Sequence, residues 1–77
     1  MKAQHVLTDD MISLSQEMFL RDHHWVAYNS HSYELGERDL SFFRNKQEAK
    51  GFTQNEGNES YSLIYASSIM DLISQLS

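Results

Sequence analysis

The alternation of apolar and polar positions changes period several times along the chain, and each change predicts an element. Thr8 before Asp9-Asp10 reads as an N-cap with acids in the first helical turn, where they suit the positive helix end, and Leu7 is placed to staple onto Ile12. Met11, Leu14 and Met18 then fall on one stripe with Ile12 and Phe19 beside it, which predicts a helix over residues 9–21. His24-Trp25-Val26-Ala27-Tyr28-Asn29 is aromatic, β-branched and apolar at successive positions, the pattern of a strand that is central or covered on both faces. Ser30 to Asp39 contains Gly36 and several charges and reads as a long connection, after which Leu40-Ser41-Phe42-Phe43 completes a hairpin.

The second half repeats these signals more clearly. Asn45-Lys46-Gln47-Glu48 has capping-box spacing, with Asn in place of Ser or Thr, and opens a short helix whose inner stripe is Ala49, Phe52 and Thr53. Asn55-Glu56-Gly57-Asn58 is a turn cluster. Tyr61 to Ala66 then alternates aromatics and leucine with smaller or aliphatic residues, as a strand does. Ser68-Ile69-Met70-Asp71 again has the box spacing, and Ile69, Leu72, Ile73 and Leu76 make a stripe at i, i+3, i+4 and i+7.

The predicted order is α-β-β-α-β-α, an α+β fold with a three-stranded sheet packed against helices. A right-handed crossover through the middle helix would set the third strand beside the first, in order 2-1-3. The sheet is then expected to be mixed, with helices on one face; a fully antiparallel meander is the alternative. Trp25 is expected in the core, where truncation to alanine would cost about 3 to 5 kcal/mol.

Length and composition narrow the function classes. At 77 residues the chain suits one domain, expected over 1–77 with 1–7 as a flexible N-terminus. A thin core of this size gains from a dimer interface or a bound partner. Eleven acids against six Lys and Arg give a net charge of -5, which opposes non-specific binding to phosphate backbones, so nucleic acid is a poor default partner. The first ten residues reach acid before any hydrophobic stretch forms, and the mean hydropathy is -0.55. The expectation is a cytoplasmic protein without a membrane partner.

The catalytic and ligand signatures are thin. The absence of cysteine removes disulfides, thiolate metal sites and thiol nucleophiles. Glycines stand alone at 36, 51 and 57, so neither a G-x-S-x-G elbow nor a phosphate-cradling loop occurs. No enzyme activity and no cofactor is expected. His23, His24 and His31 with Asp22 are the only metal-ligand types close in sequence, but adjacent strand residues point to opposite faces, so no metal site is expected.

Two surfaces remain. Arg44, Lys46 and Lys50 form a small basic patch, with Phe42 or Phe43 to stack on bases, the feature that suits a nucleic-acid-associated accessory protein. The favoured reading starts from the surplus of aromatic residues over what so small a core can enclose. It is a non-enzymatic acidic protein-binding module, an accessory or inhibitor protein that occupies a surface of a larger protein. Its expected contact residues are Tyr28, Tyr33, Glu34, Glu37, Arg38 and Asp39.

Overall fold

Three polar side chains start the three helices. The structure, a computed structural model, describes residues 5–76. Thr8 Oγ1 accepts from the Met11 N–H at 3.4 Å and opens α1 (Asp9–Leu20). Asn45 Oδ1 accepts from the Glu48 N–H at 2.9 Å and opens α2 (Lys46–Gln54). Ser68 Oγ accepts from the Asp71 N–H at 3.2 Å and opens α3 (Ile69–Leu76). Each bond satisfies a backbone donor that the helix itself leaves free. At the other end of α1, Asp22 turns into the left-handed region at φ 66°, and the N–H groups of His23 and Asp22 close back on the carbonyls of Met18 and Phe19. That C-terminal clasp stops the helix after Leu20 and aims the chain into the sheet.

The sheet comprises β2 (Trp25–Asn29), β4 (Leu40–Phe43) and β5 (Tyr61–Tyr65), with β2 in the centre. Both neighbours run antiparallel to β2; Trp25 faces Phe43 on one side and Tyr65 on the other. The expected order 2-1-3 is present, but the expected mixed sheet is not. A crossover returns β5 in the direction of β4, the strand it left, and β4 is already antiparallel to β2. All pairs in the sheet are therefore antiparallel, although the connection is not a meander.

Helices cover both faces of the sheet, not one. Val26, Leu40 and Ala66 join Met11, Leu35, Leu72 and Leu76 in the main core, with Phe19, Tyr28, Phe42 and Ile64 packed against it. This is the layer beneath α1 and α3. The alternate strand positions face α2: Ala27 and Ala49 are both fully buried, and Phe52 stands against Phe43 and Tyr61 with ring centroids 5.4 and 5.1 Å away. A two-residue period makes such a division obligatory once both faces are covered. Trp25 belongs to the α2 side. It is partly buried, set edge-on to Tyr65 at 5.1 Å, with Lys46 Nζ 5.7 Å above its ring, and so lies outside the main core where it was expected.

The stretches read as a flexible N-terminus and a long connection hold two further strands. β1 (Val6–Leu7) and β3 (Glu34–Leu35) pair in parallel, Leu7 opposite Leu35. His5 N–H donates to the Leu76 carbonyl at 3.0 Å, and Thr8 donates to the Leu35 carbonyl through both its N–H at 3.0 Å and its Oγ1 at 3.1 Å. Thus residues 5–7, expected to be flexible, are tied by hydrogen bonds to both the loop and α3; residues 1–4 of that segment lie outside the described residues. Ser15 is fully buried on α1 without penalty, since its hydroxyl donates to the Met11 carbonyl at 2.7 Å.

Candidate functional site

The parallel pairing of β1 with β3 brings the loop that carries Glu34, Glu37, Arg38 and Asp39 against the start of α1. Asp10, Glu34 and Glu37, from three different elements and all exposed, line one concavity of about 410 Å³ together with Thr8, Gly36, Arg38 and Asp39. Glu37 and Asp10 extend this surface into a second concavity of about 250 Å³ that also takes in Ser13, Leu14 and Glu17. Among the described residues the single ion pair is Arg21–Glu17, at 3.0 Å along α1. Asp10, Glu34 and Glu37 therefore present uncompensated carboxylates, with Arg38 the one cation on the concavity walls. Low-dielectric walls focus the field of such a cluster toward a cationic partner.

The residues expected to make contact divide into two groups. Tyr33, 65% exposed, stands with Glu34, Glu37 and Arg38 on the surface. Tyr28 instead packs against the core and meets the His5 ring edge-on at 5.4 Å. Asp39 holds the loop in shape: its carboxylate accepts from the Gly36 N–H and from the Ser32 hydroxyl, both at 3.1 Å, closing a 3-10 turn over Glu37–Asp39. Asp10 is the contributor that sequence reading missed. Its acid neighbour and the Thr8 cap signalled a helix start, and nothing local signals that this start abuts residues 34–39.

The three histidines do not converge. His23 Nδ1 donates to the Arg21 carbonyl at 2.8 Å, His24 Nδ1 donates to the Ala66 carbonyl at 2.9 Å, and His31 sits exposed in the turn after β2. No group of three His, Asp or Glu side chains among the described residues is arranged to hold a metal ion. The Glu59 carboxylate lies below the usual carboxylate range because the N–H groups of Glu59 and Gly57 donate to it, the latter at 3.2 Å; it shapes the turn before β5.

On the α2 side, Arg44, Lys46 and Lys50 are all exposed, and the two lysines wall a broad hollow along the helix with Gln47, Gly51 and Gln54. The phenylalanines expected to stack on bases are occupied, Phe42 against the core and Phe19, Phe43 against Phe52. Trp25 and the half-exposed Tyr65 are the aromatics beside this patch.

The fold and surface define a small α+β domain with exposed carboxylates gathered at the start of α1 and exposed lysines on α2. Comparison with known proteins adds no relative: no family model, curated protein or solved structure gives a significant match to the chain. Among the described residues, no helix is long and apolar enough to cross a membrane.

Proposed function

We propose that the chain is a non-enzymatic acidic protein-binding module, an accessory or inhibitor protein that covers a basic surface of a larger protein. One observation carries this reading: Asp10, Glu34 and Glu37 converge on one surface from α1, β3 and the 3-10 turn without ion-pair partners among the described residues. Exposed Tyr33, next to Glu34 in the chain, adds a rigid amphipathic side chain of the kind enriched at interface centres. Electrostatic matching of this type chiefly raises the association rate and sets specificity.

The test is comparative capture from a lysate of the source organism, with bound proteins identified by mass spectrometry. Wild type is set against an Asp10→Asn, Glu34→Gln, Glu37→Gln variant. The wild type is expected to retain a protein with a basic surface, more weakly as salt rises, and the neutralised variant to lose about tenfold or more in affinity. Lys46→Ala with Lys50→Ala should leave capture unchanged. Because the three acids are exposed, the variant is expected to melt within a few degrees of wild type. Equal capture by wild type and the neutralised variant overturns the assignment.

A nucleic-acid-associated accessory role is the second reading, favoured by Lys46 over the Trp25 ring, with Tyr65 edge-on to that ring, on the face that also carries Lys50. Trp25 is the only tryptophan, so its fluorescence reports this face alone. If the reading holds, a single-stranded oligonucleotide quenches Trp25 at low salt. The quenching falls steeply with added salt and is absent in Lys46→Ala, Lys50→Ala. Unchanged fluorescence at low salt removes it.

A further inference from the structure

Gly51 stands in the interior of α2, where neither backbone geometry nor packing asks for glycine. Its φ is outside the left-handed region, which among the described glycines only Gly57 occupies, and a Cβ built on it would meet no other part of the chain within 4 Å. Glycine is the least favourable residue after proline in a helix interior, and alanine, the most favourable, would fit the space. In a helix of nine residues that choice weighs on whether the helix forms. Two positions beyond buried Ala49, Gly51 lies about 160° round the helix, on the side turned from the sheet. Bare backbone there forms the floor of the hollow of about 700 Å³ whose walls are Lys46, Gln47, Lys50 and Gln54.

The same hollow gathers cations. Of the six Lys and Arg in the chain, Arg44, Lys46 and Lys50 fall within residues 44–50; all three are exposed, and none has an ion-pair partner among the described residues. Glu48, the one acid of α2, is not in the walls, and the two ammoniums and two amides that are can all donate hydrogen bonds. Lys46 links the hollow to aromatic rings: its Nζ stands 5.7 Å above Trp25, and Tyr65, 49% exposed, meets that ring edge-on at 5.1 Å. We propose that the α2 hollow binds the phosphodiester backbone of a single-stranded nucleic acid, with Gly51 as its floor and Tyr65 as the platform for an adjacent base. The proposal rests on the second reading of function and gives it a site. Charge complementarity calls for an anion with several acceptor oxygens, and the aromatics beside the hollow call for one that carries bases, which are free to stack only where they are unpaired. Gly51 is the positioning residue: with no side chain on the floor the strand comes within reach of both lysines, and any side chain there holds it off. A net charge of -5 makes this a weak contact, sensitive to salt.

Titration of Trp25 fluorescence in the full chain at low salt, with an oligothymidylate of about ten nucleotides, tests the proposal. Wild type is expected to be quenched, with an affinity that falls steeply as salt rises. Gly51→Ala is expected to melt about 3 to 8 °C above wild type, because the helix gains and nothing is crowded, yet to bind about threefold or more weakly. Gly51→Gln, an uncharged helix former that fills the floor, is expected to lose about tenfold or more in affinity. Added stability does not weaken binding, so opposite changes in the two measurements identify lost access to the hollow. Inorganic polyphosphate, which offers charge without bases, should compete about tenfold or more weakly per phosphate than the oligonucleotide. Three results overturn the proposal: both Gly51 variants binding as wild type does, Gly51→Ala melting below wild type, which would make the glycine structural, or polyphosphate competing equally, which would assign the hollow to phosphate alone. In each of these the wild type still binds the oligonucleotide and the second reading stands, whereas a wild type that does not bind it removes both.

Discussion

Leu35→Ala is expected to destabilise the protein by about 2 to 5 kcal/mol, as much as truncating a core position in a helix. Leu35 is fully buried although it belongs to a two-residue strand in a charged loop. Its side chain joins Met11, Val26, Leu72 and Leu76, and its carbonyl accepts two hydrogen bonds from Thr8. Removing the branched side chain leaves a cavity that β3, fixed by its pairing with β1, cannot close. In a domain of this size each kcal/mol shifts the melting temperature by about 4 to 8 °C, so a fall of about 10 °C or more is the expected reading in a thermal scan. Tyr33→Ala, two positions earlier and exposed, should move it by far less. A Leu35→Ala protein that melts with wild type would show that the loop does not plug the core.

Ala27→Leu is the second large effect, in the opposite sense of packing. Ala27 sits at the centre of the central strand, between Ser41 and Leu63, with α2 packed over that face. Ala27 and Ala49 are both fully buried, and two methyl groups allow the helix to lie close to the sheet. Added volume there must lift α2 or force unfavourable rotamers, at a typical cost of about 1 to 3 kcal/mol. The displacement has its own signal, because Lys46 of α2 stands 5.7 Å over Trp25 and movement of the helix changes the surroundings of the single tryptophan. Urea unfolding followed by fluorescence should therefore show a lower midpoint together with an altered native spectrum. An unchanged midpoint would mean that α2 rests loosely on the sheet. The small residue at position 27 would then be incidental.

The acidic surface illustrates how a site is split between local and distant information. Glu34, Glu37 and Arg38 are legible as exposed charges in a loop with a glycine, and Tyr33 as an aromatic too polar in context to be interior. Asp39 lies among the same charges but is drawn inward by the Gly36 N–H and the Ser32 hydroxyl, a role that depends on the 3-10 turn. Tyr28 reads as an aromatic on a strand, and which face it occupies follows from the register of β2 with Leu40 and Ser62. The hollow on α2 is local in sequence, all of its residues lying on one helix, but that no other element comes near Gly51 is decided by how α2 rests on the sheet.

The chain by itself determined the three helices and the three sheet strands. Their signals are short in range: Thr8, Asn45 and Ser68 each bond to the backbone three residues on, and the stripe of α3 and the alternation of β5 repeat within a few positions. Tertiary structure decided what those signals do not encode. β1 and β3 are two residues each, too short for any periodicity, and exist because Leu7 and Leu35 are drawn into one core across 28 positions of sequence. The direction of β5 was set by its crossover from β4, and the split of helices between the two sheet faces by the need to cover both Val26 and Ala27. Burial of apolar surface is non-directional and acts between residues of any separation, so it can choose among arrangements that local hydrogen bonds leave equal.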